Sequence, residues 1–445
     1  MKSKIKIVII GGGSNAWTPL IIKDMLLTES LQDVEYVLYD INKKPADLNK
    51  AFLDKLSKLL KIESNIITTS NKAHALKDAN YVIITISTGG LDAMAHDIAI
   101  PEEYGIYHTV GDTQGPGGWA RSIRNFGAFV DISNSLNKYC PGAMVLNYTN
   151  PMPVLTDVLQ QLCTGPVIGL CHGLFENIHF LQELYGAKSE DEIYLKYAGL
   201  NHFFWITEGR VGNIDIIADL RKKLQTKSIT DLLKIDHSDS MGFKSGRYVA
   251  DELFRMTNYL PYLGDRHTCE SFPWFITNKK NLRKYNIKRT SISNRRKMFK
   301  DREDALKRML KGEINDKYLE RSRETAADII NAHLTGKKFI DVGNVKNKGQ
   351  ISNLPLGTVV ETACMIDKNS VTPLNYGALP DSIVGLIEPL AYVFNLTVKA
   401  CFENNRELAL QALRLDPVCS HLNCDQIKEM GQRLLQAHEK YVSLR

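Results

Sequence analysis

The chain lacks several things that would assign it elsewhere. No run of about 20 consecutive apolar residues occurs, the length a bilayer-spanning helix needs, so no membrane partner is expected. The start of the chain has no secretory signal pattern: the apolar run Ile7 to Ile10 is only strand-length and leads into glycines, and a cytoplasmic location is expected. The eight cysteines include no CxxC pair and no regular spacing, which argues for free thiols rather than a disulfide framework. There is no internal repeat and no low-complexity tract. Charge of one sign is scarce as well, at a formal net of +6. Much of that excess sits between Asn278 and Arg302, in NKKNLRKYNIKRTSISNRRKMFKDR. No nucleic-acid reader motif or aromatic platform accompanies it, so a solvated surface segment is expected and no nucleic-acid partner.

What is present is ordinary for a folded soluble chain: 44% hydrophobic and 24% charged residues. A length of 445 residues exceeds one ordinary core, so two domains are expected. Lys6–Ile10, Glu35–Asp40, Asn65–Thr69, Tyr81–Ile86, Met144–Asn147 and Val167–Leu170 read as strands. Helical patterns lie between several of them, at Pro19–Leu27 and Pro45–Leu60 for example. This alternation predicts an α/β fold with a Rossmann-like, doubly wound parallel sheet over residues 1–190. From about residue 191 the pattern changes. An extended stretch at Glu192–Thr207 and longer helices at Ser322–Leu334 and Pro380–Asn404 predict a mixed α/β C-terminal domain, 191–445, that contributes to the site and to oligomerisation.

The first strand runs into Gly11, Gly12, Gly13, Ser14, Asn15 and Ala16, which fits G-x-G-x-x-A through Gly11, Gly13 and Ala16. The first glycine permits a tight turn, the second lets backbone approach a pyrophosphate, and the small third residue lets helix and strand pack closely. The helix that follows offers free N–H groups to the anion. Asp40, at the end of the second strand, can accept hydrogen bonds from ribose hydroxyls and disfavours a 2′-phosphate, so NAD is expected rather than NADP although Lys43 and Lys44 lie close by. The alternative is a glycine turn with no ligand.

Four further motifs stand out: Val110-Gly111-Asp112-Thr113-Gln114-Gly115-Pro116-Gly117-Gly118, Asn147-Tyr148-Thr149-Asn150-Pro151-Met152, Cys171-His172-Gly173, and Gly199-Leu200-Asn201-His202-Phe203. Each has a plain structural alternative, such as turn chemistry, a helix start, a buried thiol or a hydrogen-bonded histidine. The first three nevertheless fall at the carboxyl edge of the expected sheet, where ligands bind in doubly wound folds.

Taken in order, GGGS, VGDTQGPGG, NYTNPM, CHG and NHF resemble glycoside hydrolase family 4, and Asn347-Lys348-Gly349-Gln350 and Asn353-Leu354-Pro355 extend the resemblance toward the C-terminus. That family hydrolyses glycosides with NAD and a divalent metal, and departs from the two-carboxylate scheme of most glycosidases. The resemblance implies Cys171 and His202 as ligands of a metal, usually manganese. It implies Asn150 and Asn201 as partners of the sugar hydroxyls and Asp265 as the base, with Tyr262 the next residue to consider. Asp112 and His172 are the alternatives for the acid. The implied route oxidises the sugar at C3, removes the C2 proton, expels the leaving group, adds water and re-reduces C3. A homodimer or homotetramer is also implied. Cys171-His172 resembles the branch acting on unphosphorylated α-linked sugars. The phosphosugar members carry an arginine for the 6-phosphate in the loop after the fourth strand; here that expected loop, Leu91 to Asp97, has Met94 and no arginine, and so lacks the fork that a 6-phosphate favours. The Gly264 to His267 run is similar to the uronidase members, where Arg266 or His267 would pair a substrate carboxylate. Neutral α-galactosides or α-glucosides are the alternative. The shared sheet also leaves a lactate- or malate-type dehydrogenase open, and a non-catalytic NAD-binding sensor.

Overall fold

The structure, a computed structural model, describes residues 5–233 and 246–444. Six short strands start the fold: β1 (Lys6–Ile10), β2 (Glu35–Tyr39), β3 (Asn65–Thr69), β4 (Tyr81–Ile84), β5 (Met144–Asn147) and β6 (Val167–Gly169). They pair in parallel in the order β3-β2-β1-β4-β5-β6. Helices cover both faces, so the central strands are apolar without alternation. Ile7, Ile9, Leu38, Ile83 and Leu146 enter the core on one face. Val8, Ile10, Val37, Val82, Ile84 and Val145 enter the core on the other. This is the doubly wound order whose ligand crevice lies outside the carboxyl ends of the strands.

Beyond residue 190 the chain extends this same sheet. β7 (Ile193–Leu200), β8 (Phe203–Val211), β9 (Ile214–Asp215), β10 (Leu260–Pro261), β11 (Phe339–Lys346), β12 (Val359–Ile366) and β13 (Val371–Pro373) follow. β11 joins antiparallel to β6 through Asn344 and Gly169, and β12, β7, β8 and β10 continue outward. The stretch read as one extended run, Glu192–Thr207, is a hairpin. Leu200 pairs with Phe203, leaving Asn201 and His202 as a two-residue turn with His202 at φ +60°. Histidine tolerates that conformation better than bulkier or β-branched residues, but it remains uncommon outside glycine.

Two local expectations need correction. Residues 91–97 lie in the helix Gly90–Glu103, not in a loop. The basic stretch Asn278–Arg302 is only partly a solvated surface: Arg295 is 8% exposed and donates to the Val110 carbonyl, while Arg289 donates to the His108 carbonyl and pairs with Glu102. These arginines hold the loop that precedes the helix Gly115–Tyr139. The expected late helices are found as Ala326–Thr335 and Asp381–Phe402. Asp381–Phe402 is long and apolar enough to cross a membrane by length and composition, yet its Ile383, Ile387, Leu390 and Ala391 are fully buried in the protein core. All eight cysteines are free thiols.

Candidate functional site

The glycine turn follows β1 directly. The N–H groups of Gly11 and Gly12 donate to the Tyr39 carbonyl at 3.0 and 2.9 Å, folding the turn over the end of β2. Gly11 sits at φ +91°, and a Cβ there would meet the Thr85 carbonyl oxygen at 2.5 Å. Asp40 closes the turn from β2: one carboxylate oxygen accepts the Gly13 N–H at 2.9 Å and the other accepts the Asn42 N–H at 2.9 Å. Asn15 presents a buried side-chain oxygen with no hydrogen-bond partner. Gly11, Gly13, Ser14, Asn15, Ala16 and Asp40 thus come together as a strand–turn–helix cradle with an acidic rim. That arrangement fits a dinucleotide: the backbone is bare, the helix N-terminus is free of side-chain caps, and an orphan acceptor is present.

Ala16 and Trp17 pass from this turn into the wall of a cavity of about 720 Å³. Asp112, Asn150, His172, His202 and His267 line it too. Cys171 follows β6 and His202 occupies the hairpin turn, so the antiparallel extension of the sheet carries the imidazole back to the thiol. Sγ of Cys171 lies 3.2 Å from Nε2 of His202. Burial raises the thiol well above its ordinary value, and Glu361 and Glu324 add to this. Burial and then the neighbouring His267 hold His202 well below its ordinary value, so its imidazole is neutral and able to ligate. A thiol in contact with a neutral imidazole that lines the cavity fits a divalent metal whose binding displaces the thiol proton.

Asn201 turns inward from the hairpin. Its amide donates to Oε2 of Glu361 at 2.8 Å, and Asn344 donates to the same oxygen at 3.0 Å. Burial pushes the Glu361 carboxyl from 4.5 up to about 7, partly offset by these two amides. This has a measurable consequence. A folded-state value raised above the unfolded one gives stability that is complete below about pH 4.5 and lost as pH rises through about 7, roughly 3 kcal/mol in all. Metal-free Glu361→Gln should therefore gain a few degrees in melting temperature relative to wild type between pH 5 and pH 8.5. Parallel melting curves across that range would place the proton elsewhere.

Around His202, the rings of His202 and His267 lie 3.9 Å apart between centroids, and His267 Nδ1 is 3.8 Å from Asp112 Oδ1. Asp112, His202 and His267 also offer ligand atoms within 4.8 Å of one another. Burial opposes the Asp112 charge, but His267, Arg121 and Arg295 hold its carboxyl well below the usual carboxylate range. His172 lies 5.8 Å from Trp17 between ring centroids, and its Nδ1 is 3.7 Å from Glu324. Burial lowers His172 and raises Glu324 to about 7.

Two expected site residues, Asp265 and Arg266, are not among the residues lining the cavity. Asp265 is 2% exposed, and its two carboxylate oxygens accept the N–H groups of Val249 and Ala250 at 3.0 and 3.1 Å, at the start of the helix Tyr248–Thr257. A carboxylate engaged through both oxygens in this way anchors a helix start. Arg266 is likewise buried, donating to the Lys288 carbonyl and to Thr290 and tying down that loop. The sequence hid both placements because Asp265–Thr268 forms one helical turn, in which His267 is the residue that lines the cavity. Conversely, Glu324, Glu361 and Arg295 were not singled out. None belongs to a local motif, and Arg295 is masked by the basic run around it. Its buried Nε has no hydrogen-bond partner and its guanidinium lines the cavity near Asp112.

Comparison with known proteins agrees with this architecture. Residues 6–186 match the family model for family 4 glycosyl hydrolase, and residues 197–419 match that for the family 4 glycosyl hydrolase C-terminal domain. The chain is 32% identical to an alpha-galacturonidase of Thermoanaerobacter italicus, over 98% of this chain and 97% of that one. It is also 32% identical to an alpha-galactosidase of Bacillus subtilis, over 97% and 98%. Its fold is similar to that of the 6-phospho-beta glucosidase of Thermotoga maritima solved with manganese, NAD+ and glucose-6-phosphate. The TM-score is 0.81 at 24% identity, covering 99% of this chain and all of that one. The dehydrogenase and sensor readings give way to these matches: the chain belongs to family 4 of the glycosyl hydrolases and is a glycosidase.

Proposed function

We propose that this glycosidase uses NAD and a divalent metal, manganese foremost, to cleave unphosphorylated α-linked glycosides, and that α-uronides suit its cavity best. The observation that carries the reading is the contact of Cys171 Sγ with Nε2 of His202 at 3.2 Å, His202 lining the cavity that Ala16 and Trp17 reach from the glycine turn. Cys171 and His202 would hold the metal, and the turn with Asp40 would hold NAD. When bound, NAD would supply reversible hydride transfer with the sugar and the metal would supply Lewis-acid stabilisation of the charge that develops on it.

The protein's own groups supply the rest. Asn150 has a buried side-chain oxygen with no partner, free to accept a sugar hydroxyl at the cavity wall. Asn201 is set by Glu361 beside Cys171. His267, with the Asp112 carboxylate 3.8 Å away, takes the C2 proton in place of Asp265. Asp112 is held ionised and so is poorly suited to protonate a leaving group. Glu324, which keeps its proton up to about pH 7 beside His172, is the better donor. Arg295 replaces Arg266 as the partner of a substrate carboxylate. Burial lowers its guanidinium to about 10, which leaves it charged at neutral pH.

The neutral galactoside reading is kept open by the galactosidase relative at the same identity as the galacturonidase. A set of aryl α-galacturonides, α-glucuronides, α-galactosides and α-glucosides, with NAD, Mn2+ and a thiol reductant, separates the two. The expected result is cleavage of a uronide without accumulation of NADH. Arg295→Met should lower its kcat/KM about 10- to 100-fold, the worth of one charge-assisted hydrogen bond, and spare any neutral substrate. Faster cleavage of the galactoside, with Arg295→Met affecting both alike, would favour the neutral sugar.

A further inference from the structure

The loop between the helices Gly90–Glu103 and Gly115–Tyr139 is held by one buried carboxylate. Glu270 is 1% exposed. Its Oε1 accepts the N–H groups of Thr109, Val110 and Gly111 at 2.6, 2.8 and 2.9 Å, and its Oε2 accepts the Gly111 N–H at 3.1 Å. The Thr109 hydroxyl oxygen lies 3.0 Å from Oε1 and donates to the Arg266 carbonyl, and His108 Nδ1 lies 3.2 Å from Oε1. The other ring nitrogen of His108 accepts the Gly117 N–H at 3.1 Å, which joins the loop to the start of the next helix. Three consecutive N–H groups converging on a carboxylate form an anion nest, here filled by the protein's own side chain.

Of the two residues after the nest, Asp112 lines the cavity and Thr113 is buried. Thr113 donates its hydroxyl to Asp112 Oδ1 at 2.8 Å, and the same oxygen lies 3.3 Å from His202 Nδ1. A hydroxyl whose proton is committed to a carboxylate can only accept from a third group, so His202 must carry its proton on Nδ1. In a neutral imidazole that leaves the lone pair on Nε2, the atom that faces Cys171. We propose that Thr113, held by the Glu270-clamped turn 109–111, is a positioning residue that fixes the Nδ1–H form of His202 and so aims Nε2 at the metal. The proposal rests on Cys171 and His202 being the metal ligands. It extends that site to an outer shell: carboxylate, hydroxyl, imidazole, metal.

The test is Mn2+ affinity of the NAD-saturated protein, read from the magnetic resonance signal of free Mn2+ rather than from activity. Thr113→Val keeps the shape and removes the hydroxyl, and should weaken Mn2+ binding about 10- to 100-fold, as loss of an outer-shell partner does. Thr113→Ser, which keeps the hydroxyl, should stay close to wild type. Glu270→Gln should weaken Mn2+ as Thr113→Val does and speed hydrogen exchange of amides 109–111, with NAD affinity unchanged. If Glu270→Gln fails to fold, the two Thr113 variants decide alone. Wild-type Mn2+ affinity in Thr113→Val, or equal losses in Thr113→Val and Thr113→Ser, overturns the relay while leaving the metal site in place. A wild-type chain that binds Mn2+ no better than Cys171→Ser overturns the site and the relay together.

Discussion

Cys171→Ser and His202→Ala should each lose at least about 1,000-fold in metal-dependent glycoside cleavage while binding NAD nearly as wild type does. A metal acting on two sugar oxygens contributes several kcal/mol to the transition state, and each 1.36 kcal/mol is a factor of ten in rate. The two residues come from different parts of the fold, one after β6 and one in the β7–β8 turn, so neither variant touches the glycine turn or Asp40. Because burial keeps the metal-free thiol protonated, Mn2+ affinity of wild type should also rise with pH, each ion displacing one proton. Serine has no comparable thiolate to offer, and that pH dependence should weaken in Cys171→Ser. Oxidation of the Cys171 thiol should inactivate in the same way, since only the thiolate ligates. Full activity of either variant at wild-type metal concentrations would remove the pair from the site.

Cleavage in heavy water should place deuterium at C2 of the released sugar, and His267→Gln should lower both exchange and cleavage about 100-fold or more. Displacement by paired carboxylates breaks no C–H bond, whereas elimination must break the one at C2. Loss of a positioned base costs a factor of about 100 to 10,000. Asp265→Asn is the informative contrast. Its carboxylate anchors Val249 and Ala250, so the variant should lose about 1–2 kcal/mol of stability, the worth of a helix cap, and keep C2 exchange in the enzyme that remains folded. Exchange lost in Asp265→Asn and kept in His267→Gln would return the base to Asp265, and exchange kept in both directs attention to Tyr262. Product with no deuterium at C2, and no rate effect from substrate deuterated at C2 or C3, would count against the elimination route itself.

Much of this molecule could be read along the chain, and what could be read shares a physical reason. The apolar strands, the glycine turn and Asp40 are local: each depends on contacts between residues that the parallel sheet places beside one another whatever the rest of the protein does. The strand boundaries, the cradle and the family motifs were therefore visible in sequence order. The roles of Cys171 and His202 could be suggested only by resemblance, because 31 residues and a change of strand direction separate them. Their contact depends on the two-residue turn at Asn201, which the apolar pattern of Glu192–Thr207 does not announce. Asp265, Arg266 and His267 are the clearest case of the limit. Three consecutive chemistry-bearing residues look equivalent in the chain. One turn of helix sends the carboxylate to a neighbouring helix start, the guanidinium to a loop and the imidazole into the cavity. Glu270, Glu324 and Glu361 were silent for a related reason. A buried carboxylate is defined by the groups that surround it, and those come from residues 109–111, from Asp24 and Tyr148, and from Asn201 and Asn344. The sequence by itself determined the parallel part of the sheet, the glycine turn and the family. The tertiary structure decided which polar side chains meet, because that depends on long-range packing that brings distant segments within about 3 Å of each other.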